Sequence, residues 1–430
     1  MTGSKSMGLC AATSIGVGAM IGAGIFSIFG TAVKISGNAV YVSFIIAGIV
    51  ALLNAYSYAK LAVRYQSAGG IVEFLLKGFG DGILSGGFNL LLWVSYIFVL
   101  ALYSKGFSSY AVTFLPPDSA QVWEKVFATA IILIFTAINF MGAKTVGKSE
   151  IFIVSIKFGM LLLFAAAGIV YMNTGNLSTS VWPTSKSILF GAGMVFLTYQ
   201  GFELITNAAE DVSYPEITLP RALYLSVVIV IFIYVSVSFA VIGNLSIPEI
   251  EGSKDYVLAA AAKPFLGVTG FKIMALAALI STSSAINAAL YGGANISYML
   301  AKEGRLPICI ERKVWKRGTE GLFITSGLVI LISNSLTLEG IGMLVNTSIL
   351  IIYIAVNASH LRLLKETRAK SWIIQTSLLS SLIFFGVLVY YEFVNSKLTL
   401  GLLAIMILFC FSVEWIYRKS SGRSIKERTD

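Results

Sequence analysis

Polar and apolar residues in this chain separate into long blocks rather than alternating. Uninterrupted apolar stretches lie at about 9–33, 39–63, 83–107, 126–143, 149–172, 187–210, 219–243, 267–301, 320–338, 341–363, 371–393 and 398–418. A bilayer core needs roughly 20 apolar residues to be crossed by a helix, and each block approaches or exceeds that. Membrane β-strands would be about 10 residues long and would alternate in polarity. Backbone groups cannot stay unpaired in lipid, so helices are the solution that remains. The pattern predicts an all-α membrane protein with twelve transmembrane helices. The first block is too long for a signal peptide and lacks a small-residue cleavage site, so it is expected to stay as helix 1.

Three stretches do not fit the spans. Residues 66–81 contain a short amphipathic piece, residues 246–266 a small loop helix, DYVLAAAAKPF, and residues 302–319 a basic connection. Other loops are short, so residues 1–430 read as one membrane domain.

Composition agrees: 57% of residues are hydrophobic, mean hydropathy is +0.85, and 12% are charged. Soluble proteins carry about 25% charged residues. The formal charge of +10 does not imply nucleic acid, because its placement follows topology. Arg312, Lys313, Lys316 and Arg317, then Arg362, Lys365, Arg368 and Lys370, then the tail after Arg418 all fall on the side that holds the N-terminus. The positive-inside rule therefore expects a cell-membrane protein with both termini in the cytoplasm. Cys10, Cys309 and Cys410 have no metal or redox spacing, and no metal or cofactor is expected.

Two spans carry sequence that weakens a helix. Helix 1 reads GVGAMIGAGIF, with Gly16, Gly18, Gly22 and Gly24; helix 6 reads FGAGMVFLTYQGFELITN, with Gly201 near its middle. Interrupted apolar segments at matching places in two halves point to a transport site. Glycine also serves close helix packing, which is the plainer alternative. A broken helix exposes N–H groups on one side of the gap and C=O groups on the other. The former favour a carboxylate and the latter an ammonium. An amino acid carries both on one carbon, so a pair of breaks suits it without any charged side chain.

Lys157 lies in the fifth span, roughly 12 Å from one end and 22 Å from the other at 1.5 Å per residue. A charge at that depth costs at least about 2.5–3.5 kcal/mol, so it usually faces an interior path. A snorkelling lysine, or one fixed to backbone carbonyls, is the alternative. Glu203 follows the helix 6 break and is a protonated carboxyl bonded to a neighbouring helix, half of a fixed pair with a lysine, a proton site or a contact for a substrate ammonium. His360, the only histidine, is expected at the interface beside Arg362.

The stretches GVGAMIGAGIFSIFG (16–30), AYSYAKLAVRY (55–65), VSIKFGMLLLF (154–164), FLTYQGFELITNAAEDVSYPEITLPRAL (196–223), SSAINAALYGGANISYMLAKEGRLP (283–307) and ERKVWKRGTEGLFITS (311–326), in this order, resemble the amino acid–polyamine–organocation permeases. Within that family the likeness is greatest to archaeal proton-coupled amino-acid transporters of broad specificity. The resemblance implies the leucine-transporter fold: a 5+5 inverted repeat, with halves at 9–172 and 187–363, plus two extra helices at 371–418. It implies that the substrate carboxylate meets amides of Ala23, Gly24 and Ile25. The ammonium would meet carbonyls of Met20, Ile21, Leu197 and Gln200, with Gly22, Thr198 and Gly201 completing the breaks. Tyr96 would line or gate the outer side. The Lys157 ammonium would stand where relatives hold a sodium ion, among Gly18, Ala19, Ser283 and Ser284, and would carry the coupled proton. Glu203 departs from the archaeal pattern and matches some antiporters.

The expected function is sodium-independent, proton-coupled symport of amino acids by alternating access, driven by the proton gradient. Exchange or uniport, antiport of cationic amino acids or polyamines, and amino-acid sensing are the alternatives. An enzyme would need clustered catalytic groups, and a primary pump a GxxxxGK[ST] motif; neither is present. The expected partners are a small amino-acid substrate and the lipid bilayer.

Overall fold

A computed structural model describes residues 7–22, 24–67, 69–141, 146–302, 313–314 and 318–421. Ala23 and Cys309 lie outside the described residues. Among the described residues, the apolar blocks fall mostly on helical chain. Among the described residues ten segments are long and apolar enough to cross a membrane; one of them, Gly24–Arg64, runs from the second half of the predicted helix 1 through helix 2. Leu9–Met20 and Glu320–Ser335 are shorter apolar helices.

The first block is split into α1 (Leu9–Met20) and α2 (Gly24–Ser36). There follow α3 (Val40–Arg64), the amphipathic α4 (Ile71–Phe79), α5 (Ile83–Ala111), α6 (Ala120–Met141) and α7 (Val146–Tyr171). The sixth block is α-helical only as α8 (Ser185–Val195), then continues as 3-10 turns over Phe196–Tyr199 and Phe202–Ala208. Next come α9 (Pro215–Asn244), the short α10 (Ile247–Gly252) and α11 (Val257–Lys302). The chain ends with α12 (Glu320–Ser335), α13 (Leu338–Arg362), the four-residue α14 (Leu364–Thr367), α15 (Ser371–Asn395) and α16 (Lys397–Ser421).

Local chemistry sets several of these ends. Pro215 opens α9 at a position whose N–H needs no helical partner. The Thr337 hydroxyl accepts the Gly340 N–H at the start of α13. The loop helix predicted at 255–265 is not separate: it runs into the next span through Gly267, a kink at φ 64°, ψ −160°. The basic connection holds a two-residue hairpin, Lys313–Val314 paired with Gly318–Thr319.

Helix α5 is central and lies against α6, α11, α12, α13 and α16; α3 packs on α9, and α9 on α1 and α7. Outward-facing residues are apolar, including Leu163, Val170, Leu398 and Leu408. A soluble protein rarely shows such a surface, but a lipid-facing bundle requires it.

Contacts between helix ends define two faces, one of which holds the N-terminus. On the N-terminal face Met7 bonds the backbone at Asp211 and Ser213, and Arg418 pairs with Asp81 and Glu414. On the opposite face Glu339 pairs with Lys34 at 3.4 Å and Lys254 at 3.8 Å, closing α2 against the loop before α11. Burial raises the neighbouring Asp255 carboxyl above its ordinary range, against the pull of Lys254.

Candidate functional site

Both glycine-containing spans lose their hydrogen-bond ladders at mid-bundle. In the first, the Ile21 N–H still donates to Val17 O at 2.8 Å, but Ile21 leaves the helix at ψ 39°. Helix resumes at Gly24. In the second, Gln200 is extended (φ −62°, ψ 142°) and Gly201 is left-handed at φ 118°.

The two breaks touch. A Cβ built on Gly201 would stand 2.7 Å from Ala19 Cβ, 2.8 Å from Ala19 C and 2.9 Å from Met20 N. Only glycine combines that φ with so close a backbone. A Cβ on Gly24 would meet Thr198 Cα at 3.2 Å.

The freed carbonyls have partners that sequence reading missed. The Tyr234 hydroxyl on α9 stands 2.6 Å from Met20 O and 3.0 Å from Thr198 O, so one proton serves both broken helices. The Ser281 hydroxyl on α11 lies 2.9 Å from both Ile21 O and Gly22 O. The Asn346 amide on α13 donates to Gly193 O at 2.7 Å and Met194 O at 3.0 Å. Leu197 O accepts the Gln200 N–H at 3.1 Å. Each carbonyl oxygen has two lone pairs, so these bonds leave capacity for a ligand. Tyr234→Phe removes the shared donor and leaves buried carbonyls underserved. It is expected to destabilise the fold by about 1–3 kcal/mol, read as a lower unfolding midpoint in detergent.

Beside the breaks lies a cavity of about 80 Å³, lined by α1, α5, α11, α13 and the broken segment of helix 6. Gly18, Ala19, Tyr96, Gln200, Gly201, Glu203 and Ser284, all singled out from sequence, border it. Met20, Ile21, Gly22, Gly24, Ile25, Leu197 and Thr198 form the adjoining breaks and do not line it. Ile15, Ile71 and Leu204 line it toward the N-terminal face. The Gln200 Nε2 is buried without a hydrogen-bond partner among the described residues.

Glu203 is bound in place. Its Oε2 accepts the Gly201 N–H at 2.8 Å and the Tyr353 hydroxyl at 2.9 Å. The carboxyl thus sits at the start of a helical turn, where N–H groups and the helix dipole favour negative charge.

Lys157 is buried, 3% exposed. Its Nζ donates to Gly18 O at 3.4 Å and Ser284 Oγ at 3.3 Å, joining α7 to α1 and α11. It does not snorkel. Charge-assisted hydrogen bonds normally run at about 2.7–2.9 Å, so both contacts are long and weak. Ser283 precedes Ser284 on the same helix, and Ala19 borders the cavity beside Gly18.

His360 is not interfacial. It is fully buried, with Nδ1 2.8 Å from Ser57 Oγ and Nε2 2.9 Å from Thr367 Oγ1. Its place at a helix terminus suggested exposure, but α14 folds back over that terminus and covers it.

The amino acid permease family profile matches residues 7–421. An uncharacterised protein of Methanocaldococcus jannaschii is 41% identical over 98% of this chain and 97% of its own. The inner membrane transport protein YbaT of Escherichia coli is 34% identical over 85% of this chain and 86% of its own. Among solved structures, a mutant manganese transporter from Eremococcus coleocola superposes with a TM-score of 0.59 at 11% identity, over 97% of this chain and 95% of that one. At that identity the likeness speaks for the fold alone, and it is the leucine-transporter fold. Broken helices in contact, a cavity beside them and a family match along nearly the whole chain lead to one conclusion: this is a multi-pass membrane protein of the amino acid permease family, and its work is amino-acid transport.

Proposed function

We propose that the chain is a sodium-independent, proton-coupled symporter of small neutral amino acids, working by alternating access with its N-terminal face in the cytoplasm. The observation that carries this reading is the Lys157 ammonium, buried against Gly18 O and Ser284 Oγ. A carbonyl and a hydroxyl are ligands that suit an ammonium or a sodium ion equally. With the lysine resident, its own charge fills that role and its proton is the exchangeable species.

The substrate carboxylate would meet the N–H groups at Gly24 and Ile25, where α2 begins, and its ammonium the carbonyl side of the breaks. Gln200 Nε2, buried beside the cavity with no hydrogen-bond partner among the described residues, supplies a further donor. The cavity is small and its lining offers few charges, which favours small zwitterions over polyamines. In this reading residues 9–172 and 187–363 are the two inverted halves. The Glu339 pairs with Lys34 and Lys254 fasten the outer face, and the cavity lining at Ile15, Ile71 and Leu204 gives the inner exit.

Reconstituted uptake without sodium tests this directly. An inward-directed proton gradient is expected to drive accumulation of a neutral amino acid, and sodium alone is not. Accumulation that follows sodium and ignores ΔpH would overturn the reading.

A further inference from the structure

Polar side chains buried between membrane helices are costly and commonly functional. In this protein a row of them lines the contact between α3 and α13. On α3 it comprises Asn54, Ser57 and Tyr58, spaced i, i+3, i+4; on α13, Tyr353, Asn357 and His360, spaced i, i+4, i+7. These spacings put each set on one helix face. All six residues are fully buried.

The seam begins at the cavity, where Tyr353 donates to Glu203. The Tyr58 ring stands edge-on to Tyr353 at 5.5 Å. Asn357 Nδ2 donates to Asn54 Oδ1 at 2.8 Å. Ser57 Oγ reaches His360 Nδ1, and His360 Nε2 reaches Thr367. Thr367 borders a groove of about 620 Å³ at the N-terminal face, together with Lys60, Arg64 and Arg368.

Two atoms along the seam, Tyr58 Oη and Asn357 Oδ1, are buried with no hydrogen-bond partner among the described residues. Buried polar groups are nearly always satisfied, so these mark places for ordered water. The hydrogen-bond directions follow from Thr367. Its hydroxyl donates to Leu363 O at 3.0 Å, which assigns the His360 proton to Nε2 and leaves Nδ1 to accept from Ser57.

We propose that this seam is the proton route between Glu203 and the cytoplasm, with water bridging Tyr58 and Asn357 and His360 as its relay. The proposal rests on the proton-coupled reading above: Lys157 gives the coupled proton to Glu203 across the cavity that Gly18, Ser284 and Glu203 border, and the seam carries it onward. A proton leaving Glu203 passes by water to Ser57. The Ser57 hydroxyl gives its proton to Nδ1 as it takes one from that water. The Thr367 hydroxyl turns from Leu363 O to groove water, gives that water its own proton as it takes the Nε2 proton, and tautomer exchange restores the ring. One proton enters and one leaves.

The surrounding charges do not interrupt the route. Lys60 is the charged group that acts on His360. Arg362 donates to Gly78 O and lies over the Phe79 ring. Glu366 is held by Tyr65 and Arg64, and Glu73 pairs with Lys77 on α4. Lys365 is exposed, and α15 carries no charged side chain from Ser371 to Tyr391. Around Glu203, Tyr353 bonds it from α13, Tyr58 packs on Tyr353 from α3, and Tyr96 and Tyr103 border the same cavity from α5. Glu216 and Arg221 lie in the first two turns of α9, α1 carries no charge, and Lys157 stands on α7.

The test uses the full chain in proteoliposomes with the best-transported member of a radiolabelled amino-acid panel. Three quantities are measured: ΔpH-driven uptake, lumenal acidification by pyranine, and counterflow at equal pH. Glutamine at 360 still hydrogen-bonds but cannot relay a proton. His360→Gln is therefore expected to slow uptake and acidification together by about tenfold, with counterflow within about twofold of wild type. Thr367→Val, nearly the same shape, is expected to act in the same direction. Wild-type acidification in both variants would overturn the route, and so would counterflow that falls in parallel, since that marks a purely structural role. Wild-type uptake with no acidification would instead overturn proton coupling itself, and the route with it.

Discussion

Gly201→Ala is expected to abolish amino-acid uptake while leaving a membrane-inserted, monodisperse protein. Gly201 sits at φ 118°, where an L-residue is strained by about 1–3 kcal/mol. The added methyl would also press on Ala19 and the Met20 amide at 2.7–2.9 Å, and those atoms are backbone or fixed to it. They cannot turn aside as a flexible side chain would. Overpacking of this kind costs roughly a further 1–3 kcal/mol. Relief requires the two broken helices to part, which moves the carbonyls held by Tyr234 and the cavity wall beside Gln200 and Glu203. The effect therefore falls on binding geometry more than on insertion. Counterflow at background level, with gel-filtration behaviour and expression near wild type, is the expected result. Uptake close to wild type would show that the contact between the breaks is dispensable.

Lys157→Ala should uncouple transport from the proton gradient. The wild-type ammonium joins three helices through Gly18 O and Ser284 Oγ. Alanine removes the side chain that in this reading carries the proton, together with the insertion cost of about 2.5–3.5 kcal/mol of a charge at that depth. The variant is thus expected to insert well and to lose ΔpH-driven accumulation. It would also present an empty carbonyl–hydroxyl pair to solution cations. Uptake should be measured at two pH gradients, with and without sodium. An unchanged response to ΔpH would remove Lys157 from the coupling role and leave Glu203 as the candidate proton site.

The membrane architecture was legible because hydropathy is a local property, and lipid forces every apolar block into a helix whatever its neighbours. Gly22, Gly24 and Gly201 marked the breaks in advance for the same reason, since an absent Cβ alters the backbone at its own position. Lys157 stood out because a charge among apolar residues needs explanation without knowledge of its partner. Glu203 was visible only as a question. Its answer, Tyr353, lies 150 residues away.

Side-chain pairing was not legible, because a hydroxyl or amide on an apolar helix looks alike on every face. Tyr234 read as one aromatic among many, yet packing of α9 on α1 brings its hydroxyl to both breaks. His360 read as a helix-end residue until α14 folded over it and α3 supplied Ser57. Sequence alone determined that this chain crosses the membrane repeatedly and where two of its helices give way. Only the tertiary arrangement decided which distant donors meet the exposed carbonyls and carboxyl, because that follows from helix rotation and register.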